Sequence, residues 1–295
     1  MDFYGSTELS ARSASLEGLP ATLRPMVHVA LTIAGSDPSG GAGVQADLKT
    51  FHQHGVYGAA AITLLTVQNT RGVSEVEVMR PELVRDQVRA VIDDIPPGAA
   101  KTGALGSAAV VRAVAELARD FDFPLVVDPV MISKHGAALL DAEAAEALAK
   151  ELLPRALLVT PNAPEAEVLS GIHVHDAESA FEAARAIAAL GPRAVLIKGG
   201  HLEGPDAIDF LYIDGHVHEL SAPRITTPHT HGTGCTYAAA IAARLARGEP
   251  LLEAVSEAKS WLTETLLDPP GLGHGVGPVN HFAPVTRPSV PPRPR

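Results

Sequence analysis

Short, almost wholly apolar runs rich in β-branched residues alternate along this chain with alanine-rich stretches of helical period, and few architectures can house that alternation. VHVALTIAG gives way to VQADLKTFHQHG. AAITLLTVQ, PLVVDPVMI, ALLVTPN and AVLIKGG recur between helical segments such as AAEALAKELL and AESAFEAARAIAALG. Strand-then-helix units in this order predict an α/β fold, with a mostly parallel central sheet and helices on both faces. LVVDP and LLVTPN are apolar almost throughout, as strands buried on both sides must be, and each ends in polar residues. In open α/β sheets ligands bind beyond those carboxyl ends. Residues 73–79 and 210–220 alternate differently and read as small extra strands, the first as part of a lid.

With 46% apolar and 19% charged side chains over 295 residues, the chain can bury a large core, and one globular domain is expected. Residues 1–26 are small, polar and aperiodic, and 284–295 are rich in proline and arginine. Both read as tails around a domain spanning 27–283. A net charge of −11 without long runs argues against nucleic-acid and acidic-membrane surfaces. The lone cysteine, Cys235, excludes an internal disulfide and a cysteine-based zinc site, and fits a reducing, cytoplasmic setting. No signal-peptide run opens the chain, and no stretch approaches the ~20 apolar residues needed to span a bilayer.

The densest local signal is AGSDPSGGAGVQADLKT, residues 34–50, a strand entering a glycine-rich turn and then a helix. Gly41, Gly43 and Ala46 satisfy the G-x-G-x-x-G/A dinucleotide fingerprint, but the next strand ends in TVQNT, without the acid that fingerprint requires. No Walker phosphate loop occurs either. A second anion site is written near the end as THGTGCTYAAAIAARLARG, residues 230–248. There Gly232 and Gly234 flank Thr233 where a helix begins, so unpaired N–H groups can converge on one anion. In phosphoryl transfer such donors offset the charge growing on the transferred group.

Cys235 falls in the first turn of that helix, where the dipole is expected to lower a thiol pKa and favour a thiolate able to take an alcohol proton. The plainer alternative is a small buried apolar residue; its place directly after GTG favours the base. TPNAPEAEVL puts Asn162 at a strand end and Glu165 three residues on. Glu165 suits either Mg²⁺ through water or a helix cap, and spacing alone favours the cap. Asp128 in VVDPVM is a second metal candidate. Lys198, ending AVLIKGG, reads as a phosphate contact or a solvated lysine. Eight of the thirteen histidines fall in H-x-H pairs, at 52/54, 173/175, 216/218 and 229/231. No matching third ligand accompanies them, so most are expected to face solvent.

Taken together, AGSDPSGGAGVQADLKTF, TVQNT, KTGAL, DPVM, TPNAPEAE, IKGGH and THGTGCT resemble, in sequence and order, the bacterial hydroxymethylpyrimidine/phosphomethylpyrimidine kinases. The resemblance spans residues 28–282. It implies a ribokinase-like fold with a small lid element, a homodimer, and two successive phosphorylations by ATP with Mg²⁺, the second yielding the diphosphate used for thiamine. Asp47 and Gln68 resemble the pair that reads the aminopyrimidine edge, with the Gly35 backbone positioning the ring. A carboxylate accepts from an exocyclic amine, and an amide both gives and accepts. Gly232, Thr233, Gly234 and Cys235 resemble the anion hole and base; Lys198, Asn162 and Glu165 resemble the phosphate and Mg²⁺ elements.

Departures bear on substrate choice. Where many members read KIGML this chain has KTGAL. Thr102 resembles a related pyridoxal-phosphorylating group, and Ala104 removes bulk beside the ring. Ser133 stands where that group can carry a second cysteine, whereas Gln68, which that group tends to lack, is present. Pyridoxal kinase is therefore the alternative. A non-catalytic ligand sensor is less consistent with retained anion-hole glycines and base.

Overall fold

The computed structural model describes residues 27–132, 136, 139–202 and 204–285; both tails beyond them, and Ser133, lie outside the described residues. Nine strands form one sheet in the order β3-β2-β1-β4-β5-β6-β7-β8-β9. β1 (Val29–Ser36), β2 (Tyr57–Asn69), β4 (Ala99–Thr102), β5 (Leu125–Val127), β6 (Leu158–Val159) and β7 (Ala194–Ile197) run parallel. β3 (Gly72–Val78) pairs antiparallel with β2 at one edge, and the hairpin of β8 (Asp206–Ile213) and β9 (His216–Pro223) closes the other. The extra strands expected at 73–79 and 210–220 are therefore present, the second as both arms of that hairpin.

Alternation along each strand loads both faces of the sheet. Leu31, Ala100, Val127, Val159 and Val195 face α2 (Pro81–Asp94), α3 (Ala108–Leu117) and α6 (Ala177–Ala188). Ala30, Ala99, Val126, Leu158 and Ala194 face the other layer, built from α1 (Gly43–Gln53), α7 (Thr233–Ala246) and α8 (Leu251–Leu267). α4 (Ala142–Ala147) passes through a π turn, Leu148–Leu152, into a 3₁₀ turn, Leu153–Arg155, in which Pro154 has no N–H to carry on the helical ladder. α5 (Ala163–Ser170) follows β6 directly. The helices α2 and α3 and the strand β4 were not among the segments read from the pattern.

β1 lies between β2 and β4, so the chain leaves it toward opposite sides in turn, and a crevice opens at the carboxyl ends of the strands. Residues 268–283 run back across that end as a strap: Gly275 and His274 N–H donate to Thr70 Oγ1, and Val276 N–H donates to the Thr70 carbonyl.

Candidate active site

A cavity of about 440 Å³ occupies the crevice. Each parallel strand from the centre outward delivers wall positions at or just past its carboxyl end. Ser36 follows from β1, Gly103 and Ala104 from β4, Asp128 from β5, Asn162 from β6 and Lys198 from β7. Gln68, near the end of β2, and Met131, Ile132 and Leu139 complete the wall.

Three helices, α1, α5 and α7, begin at this space. Of these, the Asn162 side chain caps α5, but Ala42 before α1 and Gly232 before α7 provide no side-chain cap, as is also the case for α2 and α8 away from the cavity. The first N–H groups of a helix have no partner within it, so those of Gly234 and Cys235 are available to an anion, while Thr233 N–H makes a long 3.4 Å bond to the Thr230 carbonyl. The backbone requires glycine here. Gly232 has φ +79°, and a β-carbon on it would strike the Gly41 carbonyl; Gly43 has φ +56°, where a β-carbon would strike the Gly35 carbonyl. Glycine-loop and helix-start thus pack backbone to backbone.

Cys235 lies at the cavity wall, and its sulfur accepts from the Gly43 N–H. Its resting state corrects the sequence reading. Burial pushes the thiol up to about 11, and the Lys101 charge and the Gly43 N–H only partly oppose it. The group rests as a neutral thiol rather than the thiolate a helix N-terminus alone would favour.

Lys198, Asp128 and Glu165 come together. Lys198 Nζ lies 2.9 Å from Asp128 Oδ1 and 4.0 Å from Glu165 Oε2, so one cation serves two carboxylates. Burial acts to lower the lysine pKa, and the two carboxylates outweigh it and hold it raised. Lys198 is therefore no solvated lysine. Burial, with Asp128 nearby, lifts Glu165 to about 7 despite Lys198. The cap expected from spacing is present in full: Asn162 Oδ1 accepts from Glu165 N–H at 2.9 Å, and Glu165 Oε2 accepts from Asn162 N–H at 2.8 Å. Among the described residues no group of three or more His, Cys, Asp or Glu forms a metal cage. Two hard oxygen donors beside one cation fit a Mg²⁺ that keeps waters and draws its other ligands from phosphate.

Asp47 departs from its expected place. It lines no part of the cavity: its carboxylate is fully buried behind the wall, 3.0 and 3.1 Å from Lys101 Nζ, and accepts from Thr32 Oγ1 at 2.6 Å. A buried ammonium needs such a counter-charge, and Asp47 supplies it. Gly35, Gln68 and Ala104 do line the cavity, and a β-carbon on Gly35 would meet Leu64. Thr102 is buried in β4 and does not reach the cavity.

His231 was missed as a site residue. The expectation that most of the paired histidines face solvent fails for it and for His54, both buried; His281, outside those pairs, is buried as well. His231 Nε2 lies 2.7 Å from Asp37 Oδ2 and 3.2 Å from the Gln68 amide. Asp37 also accepts from the N–H groups of Ser39 and Ala42 and from Ser39 Oγ, so a single carboxylate ties down the glycine loop. Burial would raise its pKa, but those bonds and His231 hold it lowered and the group ionised.

The family model for phosphomethylpyrimidine kinase matches residues 37–280, most of the chain and all of this site but the end of β1. The chain belongs to the phosphomethylpyrimidine kinase family. A hydroxymethylpyrimidine/phosphomethylpyrimidine kinase of Haemophilus influenzae is 47% identical, the match covering 87% of this chain and 97% of the relative. A thiamine biosynthesis bifunctional protein of Geobacter sulfurreducens is 50% identical over 85% of this chain, which spans only 52% of that longer protein. Among solved structures, the ADP complex of Bacillus subtilis pyridoxal kinase superposes with a TM-score of 0.81 at 38% identity, covering 88% of this chain and 98% of the other. The fold of the family member described here is thus ribokinase-like. Among its described residues no helix is long and apolar enough to cross a membrane.

Proposed function

We propose that this protein moves the γ-phosphate of ATP onto the hydroxymethyl oxygen of 4-amino-5-hydroxymethyl-2-methylpyrimidine, and then phosphorylates that monophosphate to the diphosphate used in thiamine synthesis. The observation that carries this reading is the convergence, in one cavity, of two uncapped helix N-termini, the Lys198–Asp128–Glu165 cluster and the Gln68 amide. The first two suit a polyphosphate, and the third suits a ring edge that both gives and accepts hydrogen bonds.

In this reading the N–H groups of Gly234 and Cys235 accept the charge that grows on the transferred group, and Lys198 neutralises a phosphate oxygen. Asn162 lies beside the polyphosphate. Asp128 and Glu165 would hold Mg²⁺ through water; when bound, the ion supplies further charge neutralisation between phosphate groups. Cys235 takes the alcohol proton as the new O–P bond forms. Because the thiol rests protonated, its base form is scarce at neutral pH, and the alcohol step is expected to quicken as pH rises. Asp47 acts from behind the wall as the counter-charge of Lys101.

A homodimer belongs to the same reading. Tyr57, Leu65 and Val67 on β2 are exposed and apolar, and near the edge of a sheet they suit a contact with a second copy. A cytoplasmic setting accords with the single free cysteine.

The test is incubation of the purified protein with ATP, Mg²⁺ and the aminopyrimidine alcohol, with pyridoxal as a separate acceptor, and products followed by mass. Monophosphate followed by diphosphate is expected. Phosphorylated pyridoxal with no pyrimidine product would overturn the assignment and give the decisive weight to Ala104.

A further inference from the structure

The Gln68 amide can point either way, and its orientation decides where a ligand meets a donor and where an acceptor. Its neighbours leave one choice. One arm of the amide lies 3.2 Å from His231 Nε2 and the other faces Thr66 Oγ1 at 3.4 Å. Asp37 is ionised and can only accept, so at 2.7 Å the His231 Nε2 must carry a proton and donate it. A nitrogen that carries its proton in the ring plane has no lone pair to offer there. An amide nitrogen on that arm would set N–H against N–H. Thr66 imposes the same answer independently: its single proton goes to the Ser36 carbonyl at 2.9 Å, so toward Gln68 it accepts. The amide oxygen therefore takes the His231 arm and the nitrogen the Thr66 arm.

We propose that His231 is a positioning residue for substrate recognition: held by Asp37, it fixes the direction of the Gln68 amide and so selects which ring edge the cavity accepts. The inference rests on the reading of Gln68 as the ring-edge contact. A locked amide offers one N–H and one oxygen lone pair in a set order. That order suits an exocyclic amine beside a ring nitrogen and opposes the ring in which a carbonyl and a ring N–H replace them. Free rotation of the amide would erase the difference.

The molecule fixes His231 from three further directions. Its N–H donates to the Gly277 carbonyl at 3.0 Å, and its own carbonyl accepts from Val279 N–H at 3.4 Å, both in the strap. A β-carbon on Gly41 would collide with the imidazole Cδ2. The ring is thus seated by the strap, the glycine loop and Asp37 before any ligand arrives, which is the pre-organisation that selectivity needs.

The experiment measures acceptor affinity by calorimetry without ATP, for the aminopyrimidine alcohol and for its analogue with a carbonyl in place of the amine. The parent protein is compared with His231→Phe, which keeps the ring and removes both nitrogens, and with His231→Gln, whose Nε2 can serve as the donor. Loss of one oriented hydrogen bond corresponds to roughly tenfold in affinity. His231→Phe is expected to lose about that much for the amino ring and to lose its preference over the oxo ring, and His231→Gln to recover the preference. The ¹⁵N spectrum of the free parent should show the His231 signal, assigned by its absence in His231→Phe, as the Nε2-protonated form. Unchanged preference in His231→Phe, no preference in the parent, or an Nδ1-only protonated His231 would overturn the inference. Tight, selective binding by a parent that transfers no phosphate would remove the kinase reading and leave this one standing.

Discussion

Replacing Cys235 with alanine should separate the two phosphorylations. In the first, the acceptor is an alcohol whose proton must leave as the O–P bond forms. In the second, the acceptor is a phosphate monoester, whose second pKa near 6 leaves it without that proton above neutral pH. A base is needed once. General-base assistance is worth about 10²- to 10⁴-fold, or roughly 3–5 kcal/mol of barrier, so the alcohol step should fall by that factor. The phosphate step should fall less than about tenfold, because the anion hole is built from backbone N–H groups that alanine retains. The thiol's position sharpens the expectation: with burial pushing it up to about 11, the thiolate share at pH 7 is on the order of 10⁻⁴. The parent's alcohol step should therefore climb about tenfold per pH unit from 7 toward 9, a slope absent from the phosphate step and from Cys235→Ala. Rapid quench with each acceptor alone, at saturating ATP and with products weighed by mass, reads both rates. Equal losses in the two steps would refute the reasoning and assign Cys235 to the geometry of α7; no loss in the alcohol step would remove it as the base.

Lys101→Met leaves Asp47 buried without its cation, and breaking such a pair costs about 3–5 kcal/mol, read as a lowered urea midpoint. The double change Lys101→Met with Asp47→Leu should recover most of that stability and keep pyrimidine affinity within a few fold; loss of affinity in the stable double variant would return Asp47 to the ligand. Gly232→Ala forces an alanine to φ +79° and against the Gly41 carbonyl, costing about 1–2 kcal/mol from the backbone alone, and an unchanged denaturation midpoint would contradict the backbone-on-backbone packing. Burial lowers both His54 and His281 from 6.5 to about 4, so each stabilises the fold fully above pH 6.5 and loses about 3 kcal/mol as pH falls toward 4. Glu165, lifted from 4.5 to about 7, runs the other way: its contribution is full below 4.5 and is lost as pH rises through 7. His54→Phe keeps an aromatic edge against Trp261, now 4.6 Å from the imidazole, and should flatten the fall in stability between pH 6.5 and 4; an unaltered slope would show that His54 takes up no proton on unfolding.

What the sequence made legible were the places where an apolar run stops. Lys198, Asn162 and Asp128 stood out because each ends a buried strand in a polar residue, and parallel sheets gather those ends on one side. The runs overstated the strands: PLVVDPVMI contains only the three-residue β5, and ALLVTPN only the two-residue β6. Apolar character persists into the cavity wall, as at Met131 and Ile132, so hydrophobicity alone does not mark where the ladder ends. The hairpin at 210–220 carried a signal that went unread: Asp214–Gly215, both at positive φ, is the two-residue turn that such hairpins prefer. α3 likewise had Ser107 as a legible N-cap. His231 had no local signal at all. Its partners Gln68 and Asp37 lie 163 and 194 residues away, and H-x-H spacing suggested a strand face where the chain makes the loop into α7.

The thiol's high pKa looks adverse for a base, yet it suits the rest of the cavity. Lys198 already serves two carboxylates, Asp37 lines the wall and Asp47 stands behind it, so the site is short of positive charge before any phosphate enters. A carboxylate at position 235 would be ionised at rest and would repel the polyphosphate from the N–H groups meant to receive it. A neutral thiol costs the incoming anion nothing. It can still give up its proton beside the Gly43 N–H and the buried Lys101 charge, which favour the thiolate. The same burial that makes the thiolate scarce keeps the phosphate site open, so a residue slow to act as base can be the better choice for a reaction whose main demand is the binding of charge.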